Sequence, residues 1–446
     1  MAPMTAFSES SLLEQLQQQA APGGGRLVLG YSGGLDSSVL LQAAVRAGLA
    51  SRLLAVHVHH GLSAAADQWQ QHCAETCAAL GVEFVAEHIT LDGRDNLEAR
   101  ARVARREALL RHVGENDQLW LAHHQDDQAE TLLLRLMRGT GTRGLAGMAR
   151  AQRWQGRWLV RPLLDLSRAQ LVQLAETWQL RWVEDESNAH TGFDRNFLRH
   201  DILPALATRW PAAVSRLAAA SDRLADDAAL LDNLAAEDLA GCAGDSSRLA
   251  LEPFQRLGAA RQRNLLRYWM AQAGRLPPSA VVLQRVLDEV LTAGHDRQPQ
   301  VTWPDGVVTR FREHLYLLSP DMLEAPLPLA DWTPSPGESC HFGALTLRCL
   351  AAPQANALCL PQRGPLSLRP AVGGERLLWR GMHRQVSELW RQAALPPWWR
   401  RQLPLVYVGG QLVAAAAIGV ADDWQPAARE PCWSLLISSP DPHFAL

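Results

Sequence analysis

The sequence predicts an α/β fold: a doubly wound parallel sheet in the N-terminal part, followed by an all-α middle domain and a small α+β C-terminal domain. Two observations predict the first part. Between Leu27 and about Ile202 apolar β-type runs alternate with helical patterns, the signature of βαβ units, and the chemically active side chains follow the strand ends. The strand candidates are "RLVLGY", "LLAVHVH", "VEFVAEHI" and "QLWLAHH", with helix-like "SSVLLQAAVRAG", "DQWQQHCAETCAALG" and "NLEARARVARREALLRHVG" between them. A third observation separates the middle: "LAAASDRLADDAALLDNLAAEDLA" is Ala- and Leu-rich with helical period. The expected division is 1–215 for the sheet domain, 216–320 for the helical domain, 321–362 for a Pro-rich linker with β elements such as "ALTLRCL", and 363–446 for the last domain.

Composition limits the function classes. At roughly 150 residues per domain the 446-residue chain suggests about three domains. Hydrophobic content of 47% is ordinary, and no apolar run approaches the ~18 residues of a membrane span. The N-terminus has no basic and apolar leader pattern, so a cytoplasmic location and no membrane partner are expected. Seven scattered cysteines do not suggest a disulfide framework, and Cys73 and Cys77, at i and i+4, read as buried core. The chain contains no lysine, so all 43 basic residues are arginine. A Walker-type phosphate loop and Schiff-base chemistry are thereby excluded.

The most informative stretch is "LVLGYSGGLDSSVLL". A strand that delivers Ser32-Gly33-Gly34-Leu35-Asp36-Ser37 into a helix N-terminus offers backbone N–H groups and partial positive charge to a phosphate. Gly33 and Gly34 allow close approach, Ser32 and Ser37 add hydroxyls, and Asp36 can hold a divalent cation bridging phosphate oxygens. In "LAHHQDDQAETLLLRLMRGTGTRGLAGM" a strand end passes into a helix with His123, Asp127 and Glu130 on one face and Leu132, Leu133 and Leu136 opposite. That acidic face suits an ammonium group or a metal. From Thr131 to Leu164 there is no acidic residue but seven arginines, with Trp154 and Trp158 interleaved, a pattern that suits single-stranded RNA.

Ser-Gly-Gly-x-Asp-Ser in this setting resembles the pyrophosphate loop of the adenylating ATP pyrophosphatase superfamily. Joined with "HVHHGLS", "AHHQDDQAET", "RGTGTRGLAGM", "RPLL", "EDESN", "FDRNFLR" and "LPPWWRRQLPLVYVGGQLVAAA", it resembles the tRNA(Ile)-lysidine synthase family. The likeness covers about 26–215 well, the helical domain loosely and 373–416 recognisably. At Arg106 relatives commonly carry tyrosine, and across 384–390 several lysines, so the tRNA contact of that last helix is open.

The resemblance implies an adenine nucleotide alpha hydrolase-like fold and an ATP-dependent ligase. Its substrates would be L-lysine and the wobble cytidine of an isoleucine tRNA with a CAU anticodon, with Mg²⁺ as cofactor and tRNA-binding roles for the two later domains. It implies ATP binding at Ser32, Gly33, Gly34, Leu35, Asp36 and Ser37, with Asp36 also the metal ligand, and catalytic roles for Asp36, Arg102, His123, Asp127, Glu130 and Arg195. In that scheme one carboxylate anchors lysine and another group, such as His123, takes the ammonium proton. A homodimer is among the assemblies left open. The rivals are a tRNA thiolase on the same fold, which would need a Cys-x-x-Cys pair that this chain lacks, and a non-catalytic tRNA-binding protein.

Overall fold

The computed structural model describes residues 8–20, 24–59, 61, 65–90, 97–184, 194–245, 247–293, 298–324, 329–343, 345–352, 354, 357–427 and 430–439, with the backbone alone at 97–99, 101, 102 and 324. The chain divides into two compact units, 1–230 and 231–446, the division falling inside the helix Ala213–Gly241.

The first unit is built on six strands, β1 (Leu27–Gly30), β2 (Leu53–His59), β3 (Glu83–His88), β4 (Gln118–Trp120), β5 (Ala151–Trp154) and β6 (Arg157–Val160). Their order is β3-β2-β1-β4-β6-β5, and all neighbours are parallel except the β5–β6 hairpin. The helices are α1 (Glu9–Ala20), α2 (Leu35–Arg46), α3 (Ala66–Leu80), α4 (Leu97–Leu110), α5 (Gln125–Met137), α6 (Thr142–Leu145) and α7 (Arg168–Thr177).

The two-residue alternation of strand side chains divides the core into two layers. Leu27, Leu29, Leu53, Ala55 and Trp120 pack with α1, α2, α3 and α7 on one face. Val28, Leu54, Val56 and Leu119 pack with α4 on the other. Burial on both faces is why β1 reads as an unbroken apolar run. Cys73 and Cys77 are fully buried in the first layer, and burial pushes each thiol up to about 12. The doubly wound parallel sheet is therefore as expected.

From β1 the chain winds through β2 to β3 with helices on one face, then returns over α4 to β4 on the other side of β1. The order reverses between β1 and β4, which makes the space beyond their carboxyl ends the topological switch point where such sheets bind ligands.

In the second unit the middle region is helical, with Leu251–Arg256, Ala259–Gln272 and Ala280–Arg285 around buried Trp269, but it also carries a four-stranded sheet. Its strands, in spatial order, are Arg248–Ala250, His314–Leu318, Gly306–Phe311 and Gln300–Trp303. The segment 321–362, expected to be linker with β elements, contributes strands to the sheets of the C-terminal region. Ala330–Trp332 pairs with Leu366–Arg369, and Leu345–Leu350 and Leu358–Pro361 flank Cys432–Ser438. No described helix is long and apolar enough to cross a membrane.

Candidate active site

The loop after β1 is shaped by its glycines and held by its serines. Gly33 has φ +80°, and a Cβ there would lie 2.7 Å from Cys73 Sγ. The Ser32 hydroxyl lies 3.1 Å from the Ser37 hydroxyl and accepts the Gly34 N–H at 3.3 Å, while the Ser37 and Ser38 hydroxyls donate to the Gly34 and Gly33 carbonyls. The loop is pinned by Val183, whose N–H donates to the Gly33 carbonyl, and by buried His57, whose Nδ1 is 3.0 Å from the Tyr31 carbonyl. Gly34 caps α2 without a side-chain partner, so the helix presents its N-terminal N–H groups at the switch point. Leu35 faces the core, which leaves its backbone as the part that can meet a phosphate. Gly33→Ala is expected to cost about 2 kcal/mol, because an L residue is strained at this φ and Cys73 fills the space. Gly34→Ala, with φ −74° and no atom nearer than 3.4 Å, is expected to stay within about 0.5 kcal/mol of the parent in urea unfolding.

The second half of the site lies after the adjacent strand β4. His123, expected as the first residue of a helical face, precedes the helix instead. His124 is the N-cap of α5, and Asp127 closes the turn by accepting the His124 N–H at 3.0 Å. Of the apolar face expected for α5, Leu132 is buried and Leu133 half-buried, but Leu136 is 49% exposed, and Asp127 and Glu130 are buried as well.

Two arginines, from the segments Asp194–Phe197 and Leu198–Ile202, account for the burial of the two carboxylates. Arg195 donates to Glu130 Oε2 at 2.6 Å and to Asp127 Oδ1 at 2.8 Å. Arg199 donates to Glu130 Oε1 at 2.6 Å, to Glu130 Oε2 at 3.1 Å and to Asp127 Oδ1 at 3.1 Å. Burial opposes charge on Asp127, yet His124, Arg195 and His123 hold its carboxyl well below the usual range. Burial likewise opposes charge on Arg199, and Glu130, Asp127 and Asp36 outweigh it. Both carboxylates, expected to suit an ammonium group or a metal, are matched here by two guanidiniums.

His124, absent from the sequence-based set, joins this cluster to the loop. Its fully buried ring has Nε2 3.6 Å from Asp36 Oδ2 and 3.5 Å from Asp127 Oδ2, and Nδ1 3.7 Å from Asp126 Oδ2. Burial disfavours its charge, but the Asp127, Asp126 and Asp36 carboxylates prevail and lift the imidazole from 6.5 to about 10. A raised folded-state value stabilises the fold fully below about pH 6.5, and that contribution is lost as the pH rises through about 10. Melting temperature is expected to fall across this window, and His124→Gln is expected to flatten the decline.

The basic stretch after α5 separates into different tasks. Arg135 donates to the Gly144 and Gly147 carbonyls, and Gln128 makes two hydrogen bonds with the backbone of Met148, so the Gly-rich loop is fastened to α5. Arg161 donates to the Ala149 carbonyl, and Arg150 pairs with Asp165. Arg153 stacks on Trp158 at 4.5 Å, but the hairpin tip Gln155–Gly156 lies at the amino end of β6, opposite the loop end of the sheet. Arg102 falls on α4, and its side chain lies outside the described residues, as does the turn 185–188.

A Ser-Gly-Gly turn that leads into a helix N-terminus at the switch point of a parallel sheet, without a Walker lysine, is the arrangement of a PP-loop domain. The family described as "PP-loop domain" matches residues 6–206. The "TilS substrate binding domain" and "TilS substrate C-terminal domain" families match 249–316 and 366–437. The chain is 41% identical over 437 residues to a tRNA(Ile)-lysidine synthase of Alkalilimnicola ehrlichii, covering 94% of this chain and 95% of that protein. It is 38% identical over 441 residues to the one from Pectobacterium atrosepticum (96% and 98%), and 35% identical over 415 residues to one from Legionella pneumophila (93% and 96%). The chain belongs to the tRNA(Ile)-lysidine synthase family. Among solved structures, the U34-tRNA thiolase NcsA from Methanococcus maripaludis aligns with TM-score 0.41 and 18% identity over 48% of this chain and 78% of its own, a likeness too low to carry an argument.

Proposed function

We propose that this chain joins L-lysine to C2 of the wobble cytidine of an isoleucine tRNA with a CAU anticodon, using ATP and releasing AMP and pyrophosphate in the cytoplasm. The observation that carries the reading is the juxtaposition, through His124, of the phosphate loop at Asp36 with the Asp127–Glu130–Arg195–Arg199 cluster. Residues 1–215 would perform the chemistry, and 216–320 and 363–446 would hold the tRNA.

In the first step the cytosine O2 attacks the α-phosphorus and the bond to the β-phosphate oxygen breaks. The loop at Ser32–Ser37 holds the departing pyrophosphate through its N–H groups and hydroxyls. Asp36 fits a magnesium ion: its Oδ1 is buried without a hydrogen-bond donor, and magnesium is commonly held by one carboxylate together with substrate phosphates. Magnesium bound there supplies neutralisation of phosphate charge.

In the second step the lysine ε-amine attacks C2 and the former cytosine oxygen leaves in AMP. With a pKa of ~10.4 the amine is neutral in about one molecule in 2,500 at pH 7, equivalent to about 4.6 kcal/mol unless the site removes the proton. His124 is unsuited to accept it, being fully buried and lifted to about 10. His123, half-buried and within electrostatic reach of Asp127, is the acceptor we assign. Asp127 and Glu130 then act by holding Arg195 and Arg199, and Arg195 stabilises the phosphoryl charge.

The test is an assay of both products. ATP and the cognate tRNA alone should release pyrophosphate, and AMP release should follow only on addition of L-lysine. AMP release independent of lysine would contradict the scheme.

A further inference from the structure

Arg168 stands at the phosphate loop with its guanidinium uncommitted to the fold. It is the first residue of α7, and the tie from there to α5 runs through its backbone, whose N–H donates to Asp126 Oδ2 at 2.8 Å. Ser167 caps the helix independently by accepting the Gln170 N–H. The Arg168 side chain is 46% exposed, and its Nη1 lies 3.6 Å from Asp36 Oδ1, the same oxygen that is buried without a hydrogen-bond donor. An ion pair of that length, with no hydrogen bond in it, is readily exchanged.

Charge balance gives this arginine a task. A nucleoside triphosphate brings about four negative charges to a loop whose own donors are neutral N–H and hydroxyl groups and whose one charged side chain, Asp36, is an anion. Beyond the accompanying cation, a chain without lysine has arginine as its permanently cationic side chain. Arg195 and Arg199 form with Asp127 and Glu130 a set that is neutral overall, so beyond the role of Arg195 at the α-phosphoryl group it brings no net positive charge, and the His124 ring is fully buried. Arg168 is the described guanidinium that is both at Asp36 and half-open to solvent. Its planar fork suits two phosphate oxygens at once.

We infer that Arg168 is a further catalytic residue, gripping the β- and γ-phosphates of ATP and leaving Asp36 to the cation that accompanies them. The inference rests on the ATP-using reading above and adds to it the residue that carries the countercharge. Because the fold is tied through the backbone at this position, the side chain can be changed while α7 keeps its start.

The test is calorimetric titration of the full chain with three probes in the presence of Mg²⁺: α,β-methylene-ATP, inorganic pyrophosphate and AMP. Arg168→Ala is expected to weaken the first two by about tenfold to a hundredfold, the loss of one charged, hydrogen-bonded contact, and to leave AMP binding unchanged. Arg168→Lys, which keeps charge but not the fork, is expected to recover part of the loss. Unchanged binding of pyrophosphate and the analogue in Arg168→Ala would overturn the inference. So would an equal loss of AMP binding, or a lysine variant no better than alanine while melting like the parent. Failure of the parent protein to bind either polyphosphate would instead sink the ATP-using reading itself.

Discussion

Glu130→Ala is expected to lower folding stability by about 3 kcal/mol, measured as a shift in the urea unfolding midpoint. Glu130 is 1% exposed, and its two oxygens accept from both Arg195 and Arg199. Removing one partner of a buried pair leaves the other charge uncompensated, which costs roughly 3–5 kcal/mol in comparable cases. The lower end applies because the two arginine side chains are 21% and 26% exposed and regain some water. Glu130→Ala combined with Arg199→Ala should be less destabilised than the sum of the two single changes, since the second removes a charge that the first leaves unpaired. Additive effects would show that the four side chains do not act as a unit.

Asp36→Asn is expected to reduce pyrophosphate release by about two to three orders of magnitude, in line with the loss of one preorganised electrostatic group. Stability should fall by less than in Glu130→Ala, because Asp36 is 29% exposed and the buried His124 ring keeps Asp127 and Asp126 as charge partners. The contrast between the two substitutions would separate the parts of the site, Glu130 that holds the arginines and Asp36 that we propose meets the nucleotide. A Mg²⁺ titration of the rate completes the comparison. An Asp36→Asn variant with the parent's Mg²⁺ dependence would remove Asp36 from the cation's environment.

The parallel sheet and the phosphate loop were legible because their signals are local. Strands buried on both faces read as unbroken apolar runs, and Ser32-Gly33-Gly34 announces a turn that needs a positive φ at Gly33. The inward turn of Glu130 was not legible, since its partners lie 65 and 69 residues away and nothing near an acidic helix face announces them. His124 was overlooked for a related reason: starting the helix one residue before its cap placed the neighbouring His123 on the functional face. The middle sheet did leave a local trace. Asp305-Gly306 is a hairpin signal, and Trp303 pairs with Gly306, whose missing Cβ would fall 2.4 Å from the indole. In 330–361 the strand Leu345–Leu350 was legible in the alternation of "ALTLRCL", but the pairings of this segment with Leu366–Arg369 and Cys432–Ser438 were not, because long-range pairing is invisible to a window of sequence.

The central claim is that phosphate loop and arginine cluster together activate a cytidine for attack by lysine. Its most direct test is the mass of the anticodon nucleoside after isoleucine tRNA with a CAU anticodon is incubated with the full chain, ATP, Mg²⁺ and L-lysine. The account predicts a cytidine heavier by one lysine less a water. A sulfur-sized gain, or an unaltered cytidine under conditions where the protein binds ATP and tRNA, would contradict it.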